Sequence, residues 1–285
     1  MEGNFDYEEV FMGVMKTYKP EYRIRRLVET VKLKKGKMLD IGCGGGILTE
    51  NLVQHYSKME LYGCDISRTA IMYARKLGSG KVKYDVLRQK KLPYKDNFFD
   101  VCICLDVMEH VPDVDFFLKE VKRVLKKNGL FFLIVPCEGQ PLTFTWLFQR
   151  AKIGDQLTYK SWGHIHPEFT HKSVKKLLTD KGFSIQKTTY SEHVLWQTLN
   201  VFMYFLPKQI LEYALGKKAA KYSDSGVIRS KDKNKRKNDL FMLARNMCLG
   251  ANTFLRNLTH WETNVLKNTS ITAWKIHLLA KNNKL

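Results

Sequence analysis

Asp40-Ile41-Gly42-Cys43-Gly44-Gly45-Gly46 is the stretch on which the reading of this chain turns. It follows a short apolar run, Lys37 to Ile41, and precedes Leu48 to Tyr56, where Leu48, Leu52 and Val53 recur at helical spacing. A glycine loop between a strand and a helix is a ligand-binding turn. Glycine lets the backbone bend sharply and approach a ligand with no Cβ in the way, and the helix start offers free N–H groups to a polar or negative group. A nicotinamide or flavin fingerprint needs G-x-G-x-x-G, but Ile47 stands at the third glycine. No G-K-[ST] follows, which excludes a P-loop. Asp40 would repel a pyrophosphate, whereas it can hold the ammonium of an amino-acid moiety.

Outward from the loop, strand and helix patterns alternate. Residues 19–33 read as a helix with Pro20 in its first turn and Ile24, Leu27, Val28 and Val31 on one face. Glu60 to Cys64 is a strand, and Ser67 is the N-cap of a helix reaching Leu77. Lys81 to Val86 and Phe99 to Leu105 are strands. Asp113 to Lys126 is a helix with Phe116, Phe117, Val121, Val124 and Leu125 as its buried stripe, closed by Asn128-Gly129. Leu130 to Val135 is a continuous apolar strand ended by Pro136. Doubly buried strands alternating with helices indicate an α/β fold, a doubly wound and mostly parallel sheet. Thr170 to Lys181 reads as a further helix, Phe183 to Tyr190 as a strand and Ile271 to Ala280 as the last strand.

Asp40, Asp65 and Asp85 fall at the ends of the first, second and third strands, on one edge of such a sheet. With Asp40-x-Gly42-Cys43-Gly44-x-Gly46, Leu92-Pro93-Tyr94 and Asp106-Val107-Met108-Glu109-His110-Val111, they make residues 36–137 resemble the class I S-adenosylmethionine-dependent methyltransferases, of the small-molecule or lipid, type 11-like kind. Fainter echoes run from Gly163 to Phe183. The resemblance implies a Rossmann-like sheet of seven strands, the last inserted antiparallel beside Phe183 to Tyr190. It implies S-adenosylmethionine as cofactor, leaving as S-adenosylhomocysteine. It places Asp40, Gly42, Gly44 and Gly46 on the cofactor's amino-acid part, Asp65 on the ribose hydroxyls and Asp85 on the adenine amino group. Ile66, Val86 and Leu105 complete the expected cofactor contacts. A carboxylate suits the ribose because its two oxygens accept both hydroxyl protons.

Methyl transfer from a sulfonium is an in-line displacement that asks the protein for orientation, desolvation and, for a weak nucleophile, proton removal. The expected catalytic residues are His110, His164 and His166, with Glu109 and Tyr159 behind them. Trp162-Gly-His-Ile-His-Pro-Glu-Phe-Thr170 resembles the acceptor-side stretch of small-molecule members of the family. The competing readings of His110 are a ring packed beside adenine and a ring that hydrogen-bonds a loop. The spacing of His164 and His166 invites a metal reading, but the sequence offers no third ligand and no metal is expected.

The net charge is +20, and it is unevenly placed: residues 1–140 carry 24 Lys and Arg against 19 Asp and Glu, residues 141–285 carry 24 against 9. The second half should therefore attract an anionic surface. Val194 to Gly216 is apolar, aromatic and broken by Pro207, and Lys217 to Lys237 follows with nine Lys and Arg against two Asp. That pairing fits an anchor on an anionic membrane, or a lid helix followed by a solvated loop. A lid of this kind would suit a greasy acceptor, with Trp146, Phe148, Trp162, Trp196, Phe202, Tyr204 and Phe205 as candidate walls. The expected organisation is an N-terminal helical segment at 1–35, a core at 36–193, a helical basic insertion at 194–269 and the last strand at 270–285. The six cysteines sit mostly in apolar runs, as buried small hydrophobes of a reducing compartment do. No secretory signal is evident in the first residues, so a cytoplasmic, membrane-associated protein is expected. The function expected is methyl transfer to a small, hydrophobic or lipid-like acceptor. An RNA methyltransferase, and a non-catalytic cofactor-binding partner subunit, are the alternatives.

Overall fold

The computed structural model describes residues 21–87, 91–152, 163–201 and 257–284. Its centre is a seven-stranded sheet in the order β3-β2-β1-β4-β5-β7-β6. The strands are β1 (Gly36–Ile41), β2 (Met59–Asp65), β3 (Val82–Val86), β4 (Phe99–Leu105), β5 (Leu125–Pro136), β6 (Phe183–Ser191) and β7 (Lys275–Asn282). The first five pair in parallel, while β7 runs antiparallel to both β5 and β6. The order turns back at β1 and β4, so the crevice beyond their carboxyl ends is where a sheet of this kind takes its ligand.

Helices α1 (Glu21–Thr30), α2 (Ile47–Leu52) and α3 (Arg68–Leu77) cover one face, α4 (Val114–Val124) and α6 (His171–Asp180) the other. The residues of β4 show why. Val101, Ile103 and Leu105 pack with Leu27, Leu52 and Ile71 in one core cluster, whereas Phe99, Cys102 and Cys104 pack with Leu118, Val121 and Val174 in the second. Each fully buried side chain of this size contributes about 1.5–3 kcal/mol. Cys102 and Cys104 are small apolar fillers, and burial pushes their thiols well up. Ser67 caps α3 by accepting from the Ala70 N–H, and Thr170 with Ser173 closes a capping box at α6.

Several element ends differ from those expected. Helix α4 stops at Val124 and β5 starts at once with Leu125, opposite Phe99. The Asn282 amide at the far end of β7 donates to the carbonyls of Lys122, Leu125 and Lys126, ending the helix from a distant part of the chain. Phe116 is 36% exposed and leaves the buried stripe of α4, where Val114 and Leu118 stand instead. Helix α2 ends short of Tyr56, whose ring is buried with its hydroxyl donating to the Val31 carbonyl. The last strand begins at Lys275 rather than Ile271: Ile271 is exposed in a turn, and the Trp274 N–H donates to the Glu192 carbonyl just before pairing starts.

Beyond β5 lie α5 (Phe144–Ala151) and, after β6, α7 (Val194–Asn200). The Phe144 N–H donates to Gln197 Oε1, tying α5 to α7, and Glu262 of the helix at 257–266 accepts from Leu195 and Trp196 at the start of α7. Trp196 stacks on Trp274, and Trp146 and Phe148 are half-buried. Tyr159, Trp162, Phe202, Tyr204, Phe205, the basic run 217–237 and Cys248 lie outside the described residues, as do Pro20 and the first residues. Among the described residues no helix is long and apolar enough to cross a membrane.

Candidate active site

Three of the glycines in the loop after β1 stand in the left-handed region, with φ of 76° at Gly42, 52° at Gly44 and 82° at Gly46. The Gly42 and Cys43 N–H groups both donate to the Cys64 carbonyl, at 2.8 and 3.1 Å, which folds the loop over the end of β2. The Gly44 N–H then donates to Asp65 Oδ2 and the Ser67 N–H to Asp65 Oδ1, each at 2.8 Å. Two backbone donors therefore hold the Asp65 carboxylate in place, and each oxygen keeps a lone pair for a ligand hydroxyl. A Cβ at Gly42 would lie 2.3 Å from Val107 Cγ2, whereas a Cβ at Gly44 would meet nothing within 4 Å. The loop is thus packed at its root and open at its crown.

Asp40 is buried beneath the loop, with Oδ2 accepting from the Thr49 hydroxyl at 2.6 Å. Burial drives its carboxyl up to about 7. The Thr49 hydrogen bond opposes that rise and the charge of Asp65 adds to it.

A cavity of about 440 Å³ opens beside the loop, lined among others by Gly42, Asp65, Ile66, Leu87, Val107 and His110. Ile66 is 80% exposed, an apolar side chain left without cover at the cavity wall. Of the expected cofactor contacts, Gly42, Asp65 and Ile66 meet here. Gly46 is the N-cap of α2, Asp40 lies below and Leu105 points into the core. Asp85 and Val86 line a neighbouring cleft of about 610 Å³ instead. There the Tyr94 hydroxyl donates to Asp85 Oδ2 at 3.1 Å, and Arg75 stands 4.0 Å from Oδ1.

The other wall is built on the residues after β4 and β5. Asp106, with φ of 55°, pairs with Arg23 of α1 at 2.5 Å and with Lys275 of β7 at 3.0 Å, and Lys275 also reaches Glu192 at 3.0 Å. Burial would raise the Asp106 carboxyl, but those two cations overcome it and hold it low. Glu109, 1% exposed, has no hydrogen-bond partner for either oxygen among the described residues. Burial and then the Asp106 charge push its carboxyl up to about 8.

His110 and His164 meet edge to face, with ring centroids 5.1 Å apart. His110 Nδ1 donates to the Gly163 carbonyl at 3.0 Å, and burial lowers its pKa from the usual value. His164 is buried, with Nδ1 2.5 Å from Glu138 Oε1. One atom each from Glu109, His110 and His164 lies within 4.8 Å of the others, a spacing that a water or a cation can bridge. His166 is turned elsewhere: Nε2 donates to the Val111 carbonyl at 2.8 Å, Nδ1 faces Glu168 at 2.9 Å, and its ring stacks on Phe169. Glu138 is absent from the candidates drawn from sequence. Its signal was the one that marked Asp40 and Asp65, an acidic residue at the carboxyl end of a buried strand, here two residues past Pro136.

Comparison with known proteins agrees with this geometry. Residues 39–133 match the family model described as a methyltransferase domain. Among curated relatives, the ubiquinone biosynthesis O-methyltransferase of Pelagibacter ubique (strain HTCC1062) is 40% identical over 104 residues, 35% of this chain and 42% of the relative. That of Bartonella bacilliformis is 33% identical over 130 residues, 45% of this chain and 44% of the relative. The chain thus spans less than half the length of these relatives. Haemonchus contortus phosphoethanolamine N-methyltransferase 2, solved with phosphomonomethylethanolamine and S-adenosylhomocysteine, shares the fold with a TM-score of 0.58 at 16% identity, over 98% of this chain and 57% of that one.

Proposed function

We propose that this chain transfers a methyl group from S-adenosylmethionine to a hydroxyl of a small, lipid-like, quinone-related acceptor. The observation that carries the reading is one cavity bounded by the Asp65 carboxylate on the glycine loop and by the His110 imidazole. The residues fit the cofactor. Asp65 is fixed for a ribose, Ile66 offers an apolar face beside it, and the space over Gly44 is open where a ligand would cross the loop. When bound, the cofactor supplies a sulfonium methyl with an already good leaving group.

The chain's own residues do the rest. Asp40 beneath the loop offers a negative charge to the cofactor's ammonium. His110 keeps Nδ1–H on the Gly163 carbonyl, so Nε2 carries a lone pair at the cavity wall, and its lowered pKa keeps the ring neutral near pH 7. His110 Nε2 would take the O–H proton of the acceptor as its oxygen is methylated. The relatives' names support an oxygen acceptor of the quinone type. The apolar and then basic sequence at 194–237 supports access from the cytoplasmic surface of an anionic membrane, where such acceptors dissolve.

The test is to incubate the purified chain with tritiated S-adenosylmethionine and either a prenylated catechol, a total RNA fraction or anionic lipid vesicles. Label on the catechol oxygen is expected. Label in RNA would replace this acceptor class, and cofactor binding without transfer to any pool would make the chain a non-catalytic partner.

A further inference from the structure

Building on that reading of the site, we propose that Glu138 is a positioning residue for the transfer step, fixing the tautomer of His164 so that His110 stays free to take the acceptor's proton. A carbonyl and a carboxylate only accept hydrogen bonds. Gly163 O therefore receives the Nδ1–H of His110, and Glu138 Oε1 receives the Nδ1–H of His164. In neutral rings this leaves both Nε2 atoms as acceptors. Both stand by the same oxygen: Glu109 Oε1 lies 4.0 Å from His110 Nε2 and 3.9 Å from His164 Nε2. Among the described residues Glu109 is buried and without a hydrogen-bond partner, so its carboxyl is favoured in the protonated form and the two Nε2 atoms are the acceptors nearest to it. A closing of about 1 Å or one bridging water makes the bond.

The choice between the two acceptors is what Glu138 governs. With Nδ1–H held on Glu138, the buried His164 presents a bare Nε2 and takes the Glu109 proton, leaving His110 Nε2 bare at the cavity. If His164 adopted the other tautomer, its Nε2–H would point at Glu109, and the Glu109 proton would fall to His110 and block it. Glu138 is itself fully buried, and its second oxygen has no hydrogen-bond partner among the described residues. Among the described residues its side-chain hydrogen bond is to His164, which is the pattern of a residue that acts through another.

Glu138→Gln keeps the shape but adds amide donors, which removes the tautomer constraint. The experiment reads imidazole nitrogen-15 spectra and steady-state kinetics of the full chain and of Glu138→Gln, with the prenylated catechol as acceptor. Expected in the full chain is His164 with Nδ1 protonated and Nε2 bare; in the variant an Nε2-protonated population appears. The kcat is expected to fall by roughly 10²-fold or more while KM for S-adenosylmethionine stays within about twofold. An unchanged tautomer, an unchanged kcat, or a rise in KM that tracks a loss of thermal stability overturns the proposal. So does turnover that chelation abolishes and a divalent cation restores with the variant's tautomer unaltered, because a cation then holds the cluster. The spectra need no turnover: a full chain inactive on the catechol refutes the function above, and the tautomer result still decides the role of Glu138.

Discussion

On the β1–β2 side of the crevice the backbone makes the site. Glycines with positive φ fold the loop back, N–H groups hold the Asp65 carboxylate, and the Asp40 carboxyl is buried beneath on the Thr49 hydroxyl. On the β4–β5 side the side chains make it. Asp106, Glu109 and His110 follow β4, Glu138 follows β5 and His164 precedes α6; Arg23 and Lys275 hold Asp106, and Glu138 holds His164. Each construction suits its task. A ligand that must approach the backbone closely is suited by a loop whose turns rest on glycines with positive φ. Proton handling needs groups whose environments push their pKa values apart, and Asp106 held low beside Glu109 raised to about 8 is such a pair.

The comparison sharpens first within the loop itself. Gly42→Ala drives a Cβ into Val107 and keeps a left-handed φ, so it is expected to destabilise the chain by roughly 2–5 kcal/mol and to abolish cofactor binding. Gly44→Ala meets only the strain of φ 52°, about 1–2 kcal/mol, and should leave a folded chain with weakened binding, because its methyl projects where the ligand would cross. Thermal unfolding and calorimetry of both variants check this. Equal losses of stability would mean that the loop root is not packed as described.

A smaller effect concerns Asp40. Its carboxyl stands at about 7 in the free chain, so below that pH it is largely protonated. An ammonium bound nearby favours the ionised form and lowers that value. Binding S-adenosylmethionine at pH 6 should then release up to one proton, the release fading above about pH 8, where Asp40 is already charged. Affinity should gain about 1.4 kcal/mol for each unit by which the value falls. Calorimetry in buffers of different ionisation enthalpy measures the proton count, and Asp40→Asn should remove it. Proton uptake, or a release the variant retains, would take Asp40 out of the cofactor site.

The same division governs what the sequence made legible. The alternation of strands and helices, the Ser67 cap and the acidic residues beside the glycine loop follow from local spacing, and the structure puts Gly42, Asp65 and Ile66 on one cavity. The antiparallel last strand came from the family resemblance, since nothing local in Lys275–Asn282 fixes its direction. What escaped depends on long-range contacts. Asn282 ends α4 across the fold, and Lys275 and Arg23 converge on Asp106 from opposite ends of the chain. Asp85 reads like Asp65 in sequence, yet the Tyr94 hydroxyl draws it to the neighbouring cleft. His166 reads like His164, but Val111 and Glu168 engage both of its nitrogens. Glu138 obeys the strand-end rule; it stayed hidden because its partner, His164, lies beyond α5 and is brought back only by the fold.

Asp65 is held by the loop and exposed to the cavity, so it is the residue through which a ribose would be gripped. Calorimetric titration of S-adenosylmethionine into the purified chain and into Asp65→Ala tests it directly. The account predicts saturable one-site binding that weakens by about 1–3 kcal/mol in the variant, the cost of leaving ribose hydroxyls unpaired. Equal affinity in the two proteins would contradict the cofactor site built here on the glycine loop.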